Sequence, residues 1–176
     1  MSDSPLTYFA YGSNMSVARL RARVPGARRL GLATLAGHVL RFHKCGADGS
    51  AKLDVVAAGD AADRVLGVLF GLTATEKAVL DAIEGPGYEG VTVAVGNADG
   101  AVVEAFMYRA LRVDATLRPF AWYVHHVLTG AREASLPADY VARIAAVETI
   151  DDPDADRDAR ERGVHRNRQQ APGGSP

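Results

Sequence analysis

Two places in the 176-residue chain bring together residue types that can do chemistry. The first is Gly12-Ser13-Asn14, directly after the aromatic run Leu6-Thr7-Tyr8-Phe9-Ala10-Tyr11. Backbone N–H groups left free where a strand turns into a helix attract oxygen anions, and the helix dipole adds to that attraction. The same three residues also read as an ordinary strand-to-helix turn, with Ser13 or Asn14 as the cap. The loop lacks the spacing and lysine of a P-loop and the later glycines of a dinucleotide loop, which argues against a nucleotide. The second place is Glu84, at the C-terminal end of a helical segment, where the macrodipole disfavours negative charge. A carboxylate in that position suits a general base working near neutrality. A solvent-facing glutamate beside a Gly-Pro-Gly stop carries the same signature.

Other reactive residue types lack a supporting pattern. His38, His43, His125, His126 and His165 show no metal-ligand spacing, and the adjacent His125 and His126 point about 100° apart on a helix. Ser13 lacks the Gly-x-Ser-x-Gly elbow of a serine hydrolase. Cys45 is the single cysteine, with no activating base nearby in sequence; it reads as a passive thiol, and no intrachain disulfide can form. Asp54 and Asp81 could be polar site residues, but acids of this kind are more often surface groups.

The elements that must position these residues follow from periodicity. A strand over 6–11 leads into a helix over 15–23, stopped by Val24-Pro25-Gly26. Residues 30–44 read as one long bent strand or two short ones, followed by strands at 52–57 and 64–72. Thr73 and Glu76 form a capping-box pattern, and Val79, Leu80 and Ile83 share one face of the helix that ends at Gly85-Pro86-Gly87. Residues 88–96 and 101–110 read as a hairpin around Asn97-Ala98-Asp99-Gly100. Phe120, Tyr123, Val124, Val127 and Leu128 follow a helical period, with Gly130 as the stop, and a last helix covers 137–147. The order β-α-β-β-β-α-β-β-α-α indicates an α+β domain around a mixed, largely antiparallel sheet.

Composition sets the class. Hydrophobic residues make up 48% and charged residues 23%, and the net charge is −1. That is a globular composition with no overall field favouring nucleic acid or an anionic membrane. No apolar run approaches the length of a membrane span, and the start Met1-Ser2-Asp3-Ser4-Pro5 lacks signal-peptide features, so a cytoplasmic protein is expected. The arginines are spread along the chain and balanced by acids. Residues 1–150 are expected to form one domain. From 151 to 176 the apolar content collapses, and a charged, disordered tail is expected, with at most a short helix near 155–162.

Tyr8-Phe9-Ala10-Tyr11-Gly12-Ser13-Asn14-Met15 resembles the signature opening of the γ-glutamylcyclotransferases, an AIG2-like superfamily. Val65-Leu66-Gly67-Val68-Leu69-Phe70 resembles a strand of that family. Leu80-Asp81-Ala82-Ile83-Glu84-Gly85, followed by Tyr88, resembles the segment carrying its catalytic glutamate. Tyr123 and the run Gly130-Ala131-Arg132-Glu133-Ala134-Ser135-Leu136-Pro137, followed by Tyr140, resembles its C-terminal block. The resemblance spans residues 8–147. The loop Gly85-Pro86-Gly87 is short beside some relatives, and residues 44–60 match only loosely.

The resemblance implies a mixed, largely antiparallel β-barrel enclosing a cavity, with flanking helices. It implies a reaction without cofactor, in which the α-amine of a γ-glutamyl amide attacks its own γ-carbonyl and releases 5-oxoproline and an amine or amino acid. Glu84 would be catalytic; Tyr8, Phe9, Ala10, Tyr11, Gly12, Ser13, Tyr88 and Tyr123 would bind substrate. The expected partner is a small γ-glutamyl molecule, with no nucleic acid and no membrane, and the expected assembly is a monomer or homodimer. Two other readings stay open: the same chemistry on a γ-glutamyl-protected biosynthetic intermediate, and a non-catalytic module that binds a γ-glutamyl metabolite.

Overall fold

The computed structural model describes residues 5–166. Five strands close a barrel in the order β1-β5-β2-β6-β7. They are β1 (Leu6–Ala10), β2 (Arg28–Ala36), β5 (Arg64–Leu72), β6 (Tyr88–Asn97) and β7 (Val102–Ala110). The seam that closes it is parallel, Tyr8 of β1 facing Phe106 of β7, and the other neighbours pair antiparallel. The mixed, largely antiparallel barrel with flanking helices is therefore the observed architecture. β5 earns its place at the centre of the core because its apolar run is buried on both faces: Val65, Val68, Phe70 and Leu72 are all shielded from solvent.

β3 (His38–Cys45) and β4 (Ala51–Ala57) form a separate hairpin. The long apolar stretch that begins in β2 is thus two strands, broken at Gly37, whose φ of +70° favours glycine. The hairpin is fixed to the barrel by polar contacts. Asp54 is buried, accepts the Ala110 N–H at 2.9 Å and lies 2.9 Å from His43 Nε2. Asp54 is thus a structural anchor and not a surface group.

Helices carry the two reactive places. α1 (Val17–Arg23) is capped by Ser16, whose hydroxyl accepts the Arg19 N–H. Ser13 and Asn14 belong instead to a short 3-10 turn ahead of it, Ser13–Met15. α2 (Ala74–Glu84) has the full Thr73/Glu76 capping box. It stops because Gly85 adopts φ +69°, so the chain turns immediately after Glu84.

α3 (Ala121–Glu133) runs through Gly130 and ends three residues beyond it. Gly130 is not the stop that the sequence suggested. A Cβ there would sit 2.4 Å from Ser16 N and 2.6 Å from Met15 C, so glycine lets the helix lie against the chain just after the loop. α4 (Ala138–Ala145) docks on β5 through Tyr140, whose hydroxyl accepts the Leu66 N–H. Among the described residues, no helix is long and apolar enough to cross a membrane.

The expectation of a disordered tail from residue 151 is corrected for 151–166. α5 (Ala155–Gly163), capped by Asp154, packs on α3. It docks by charge, which a count of apolar residues does not register. Arg157 holds Asp152 through two bonds of 2.6 and 2.5 Å, and Trp122 Nε1–H donates to the same carboxylate at 2.7 Å. Glu161 accepts from Arg19 at 2.6 Å and lies 3.0 Å from His126 Nε2, while His126 Nδ1 lies 2.6 Å from His165. The ordered unit thus continues past residue 150; residues 167–176 of the expected tail lie outside the described residues.

This network predicts acid sensitivity. Burial pushes the pKa of His126 down to about 4. The unfolded imidazole protonates near 6.5. As pH falls below 6.5 the unfolded state takes up the proton first, so stability is lost between 6.5 and about 4. Glu161 is held at about 2 by its hydrogen bond with His126 and by Arg19. Its contribution is present above the unfolded carboxylate value and is lost as pH falls toward 2. We expect the melting temperature to drop steadily from pH 6.5 to 4, and His126→Gln to flatten that slope. A midpoint independent of pH over this interval would show that His126 does not carry the effect.

Candidate active site

The barrel mouth beside the end of β1 holds a narrow cavity of about 30 Å³. Its wall is made from Tyr8, Tyr11, Gly12, Ser13, Asn14, Glu84, Tyr88 and Tyr123, together with Leu53 and Tyr108. Chain segments far apart in sequence meet here because β1 delivers the loop, α2 ends at the rim and β4 and α3 close over it.

Glu84 is the charged group of this cavity. Its Oε1 accepts from Asn14 Nδ2 at 2.9 Å and from Arg23 Nη1 at 3.0 Å. Asn14 Nδ2 also reaches Tyr8 Oη at 3.1 Å, and Asn14 Oδ1 accepts from Arg23 at 3.3 Å. The carboxylate is 15% exposed. Among the described residues, no donor meets Oε2. One oxygen is therefore pinned and the other is open. The macrodipole repulsion expected from position alone is met by the Arg23 guanidinium, a counter-charge nine residues beyond Asn14 in the sequence.

The tyrosines supply a wall of neutral hydroxyls. Tyr123 Oη accepts the Leu53 N–H at 3.0 Å, leaving its own proton to donate, and burial pushes its pKa up to about 12. Tyr88 donates to the Leu53 carbonyl at 2.7 Å, and Tyr11 to the Tyr108 carbonyl at 2.6 Å. Tyr108 donates to Asp81 at 2.6 Å. Burial raises the pKa of Tyr8, Tyr11, Tyr88 and Tyr108 as well, so all stay protonated at neutral pH. Clamped from both sides by Tyr88 and Tyr123, Leu53 ties the β3–β4 hairpin to the site. Among the described residues, the N–H groups of Gly12, Ser13 and Asn14 meet no acceptor. The lining of the site thus holds both free backbone donors and a proton acceptor.

Of the residues singled out in the sequence, Tyr8, Tyr11, Gly12, Ser13, Glu84, Tyr88 and Tyr123 come together. Phe9 and Ala10 do not line the cavity. Phe9 faces the opposite side of β1, against Gly67, and both are wholly buried in the core. Arg23, Leu53 and Tyr108 also meet at the candidate site without having been singled out, and Asn14, read in the sequence as part of an anion-binding loop or as a cap, acts there through its side chain on Glu84 and Tyr8. Asn14 had a visible signal, its place in the loop; Arg23 was one of several arginines near a helix end. Among the described residues, no group of three His, Cys, Asp or Glu side chains is placed to hold a metal ion.

Comparison with known proteins follows the same lines. The AIG2-like family model matches residues 64–144. No curated protein sequence matches the chain. Among solved structures, the uncharacterized protein loc79017 from Homo sapiens superposes with a TM-score of 0.76 at 26% identity, covering 84% of this chain and 90% of that one. A γ-glutamyl cyclotransferase superposes with a TM-score of 0.76 at 24% identity, with the same coverage of 84% and 90%. A yeast γ-glutamyl cyclotransferase specific to glutathione gives 0.61 at 11% identity, over 80% of this chain and 94% of that one. The last two likenesses are of fold. Residues 64–144, from β5 into α4, thus resemble the AIG2-like family, and the barrel has the fold of these cyclotransferase structures.

Proposed function

We propose that the protein is a γ-glutamylcyclotransferase that closes a γ-glutamyl amide on itself, with Glu84 as the proton-transferring residue. The observation that carries this reading is the Glu84 carboxylate itself, pinned through Oε1 and open at Oε2, in the lining of the same narrow cavity as the Gly12–Asn14 loop with its three free backbone N–H groups. The substrate brings its own nucleophile, so the protein needs chiefly to fold it into an attack geometry. Glu84 Oε2 takes a proton from the α-ammonium, which frees the nitrogen lone pair. That nitrogen bonds to the γ-carbon. The developing oxyanion is met by N–H donors of the Gly12–Asn14 loop and by the Tyr123 hydroxyl. Glu84 then returns a proton to the leaving nitrogen and the original amide bond breaks. The α-nitrogen sheds two protons in all; both end on the released amine, which departs as an ammonium ion beside 5-oxoproline. The α-nitrogen and the γ-carbon come from one molecule, and no step calls for a cofactor.

A panel of γ-glutamyl dipeptides, γ-glutamyl amines and glutathione tests this reading, with 5-oxoproline measured by mass spectrometry. At least one member is expected to release 5-oxoproline and its amine in equal amounts. Silence across the panel would leave a binding module as the better reading.

A further inference from the structure

The narrow cavity opens outward into a second chamber of about 280 Å³, and the two share Ser13, Glu84, Tyr88 and Tyr123. Five cations line the outer chamber: Arg19, Arg23, Lys44, Lys52 and Arg157. Four of them are matched by carboxylates. Arg19 holds Glu161 at 2.6 Å, Arg23 holds Glu84 at 3.0 Å, Lys52 holds Asp48 at 2.7 Å and Arg157 holds Asp152 at 2.5 Å. Lys44 is different. It is 7% exposed, and among the described residues its ammonium has no hydrogen-bond acceptor and no carboxylate in ion-pair contact. It lies 4.5 Å from the centre of the Tyr88 ring. A side chain at Gly87 would begin 2.8 Å from its Nζ, so the bare loop just after Glu84 makes room for it. Burial pushes its pKa down, against the longer-range pull of Glu84 and Asp48.

An ammonium largely screened from water, facing a chamber with no anion beside it, gains when an anion arrives. Where that anion sits on the substrate follows from the direction of the reaction. If the glutamyl part lies against the Gly12–Asn14 loop and the amide nitrogen at Glu84, the group beyond that nitrogen extends into the outer chamber. Resting on the cyclotransferase reading, we propose that Lys44 reads the charge of the leaving group: the site selects γ-glutamyl amides whose released amine carries a carboxylate, as in amino acids and short peptides, over those that release neutral or cationic amines.

The test uses γ-glutamylglycine and γ-glutamylglycinamide, which share the glutamyl part and differ in one charge. Their affinities are measured calorimetrically on Glu84→Gln, which should bind without turnover, and on Glu84→Gln/Lys44→Met. With Lys44 present the acid should bind roughly tenfold to a hundredfold more tightly than the amide, the range of a charge-assisted hydrogen bond. With Met at this position that ratio should fall to near one. The ratio is internally controlled, because a distorted site loses both ligands together. Equal affinities with Lys44 present, parallel loss of both ligands with Met, or binding of neither would overturn the proposal; parallel loss is also what a Lys44 that holds the glutamyl carboxylate would give. If the ratio behaves as expected while the unsubstituted protein forms no 5-oxoproline from γ-glutamylglycine, Lys44 keeps its role and the cyclisation reading alone fails.

Discussion

Glu84→Gln is expected to lower 5-oxoproline formation at least about 10²-fold, and up to about 10⁴-fold, the usual range for a general acid–base group. The substitution keeps size and shape, and its amide oxygen can still accept from Asn14 and Arg23, which hold Oε1 in the native site. What it removes is the proton acceptor at Oε2. At neutral pH the substrate amine is an ammonium ion without a lone pair, so only the fraction that loses its proton to water can react. Stability should fall by roughly 1–3 kcal/mol, because both partners of the Arg23–Glu84 pair are largely buried and glutamine keeps the hydrogen bonds but not the counter-charge. The helix dipole at the end of α2 disfavours the carboxylate, but the Arg23 partner offsets that repulsion, so its relief brings no net gain. Turnover and melting are measured on one preparation. A folded variant that kept more than about a tenth of the activity, outside the range above, would mean that Glu84 is not the base.

Gly130→Ala should harm both stability and turnover, although alanine is the better helix former by about 1 kcal/mol. The added methyl would meet backbone of Met15 and Ser16, which cannot rotate away as a side chain can. Overpacking of this kind costs about 1–3 kcal/mol. Set against the propensity gain, a net loss of up to about 2 kcal/mol remains, which lowers the melting temperature by up to roughly 8 °C in a chain of this size. The displaced residues directly follow Asn14, which bonds both Glu84 and Tyr8. A shift of about 1 Å at a positioning residue can cost on the order of 10²-fold in rate, so activity should fall by more than stability alone implies. Wild-type melting together with wild-type turnover would show that α3 does not fix the loop.

Gly130 also shows where sequence reading stops. Glycine late in a helical pattern usually marks its end, and only the approach of the chain at Ser16, over a hundred residues earlier, shows why this one does not. Local signals did well elsewhere. The Thr73/Glu76 cap, the hairpin around 97–100 and the position of Glu84 at the end of α2 depend on neighbours within four residues, and all are present in the structure. Strand pairing was not legible: β5 lies between β1 and β2, and no periodicity states that order. The same limit applies to the site. The tyrosines and Glu84 stand in motif-bearing stretches, whereas Arg23 and Lys44 matter only through what they face across the fold. The docking of α5 was missed for a different reason. A segment poor in apolar residues was expected to stay loose, but the Arg19–Glu161 ion pair and hydrogen bonds from His126 to Glu161 and from Trp122 to Asp152 attach it.

The central claim is that the γ-carbonyl is attacked by the substrate's own amine and not by water. Turnover of a γ-glutamyl substrate from the panel in H2¹⁸O, followed by mass spectrometry of the product, tests it directly. Intramolecular attack predicts 5-oxoproline without ¹⁸O, equal in amount to the released amine. Glutamate carrying ¹⁸O in its γ-carboxylate would mean hydrolysis and would contradict the account.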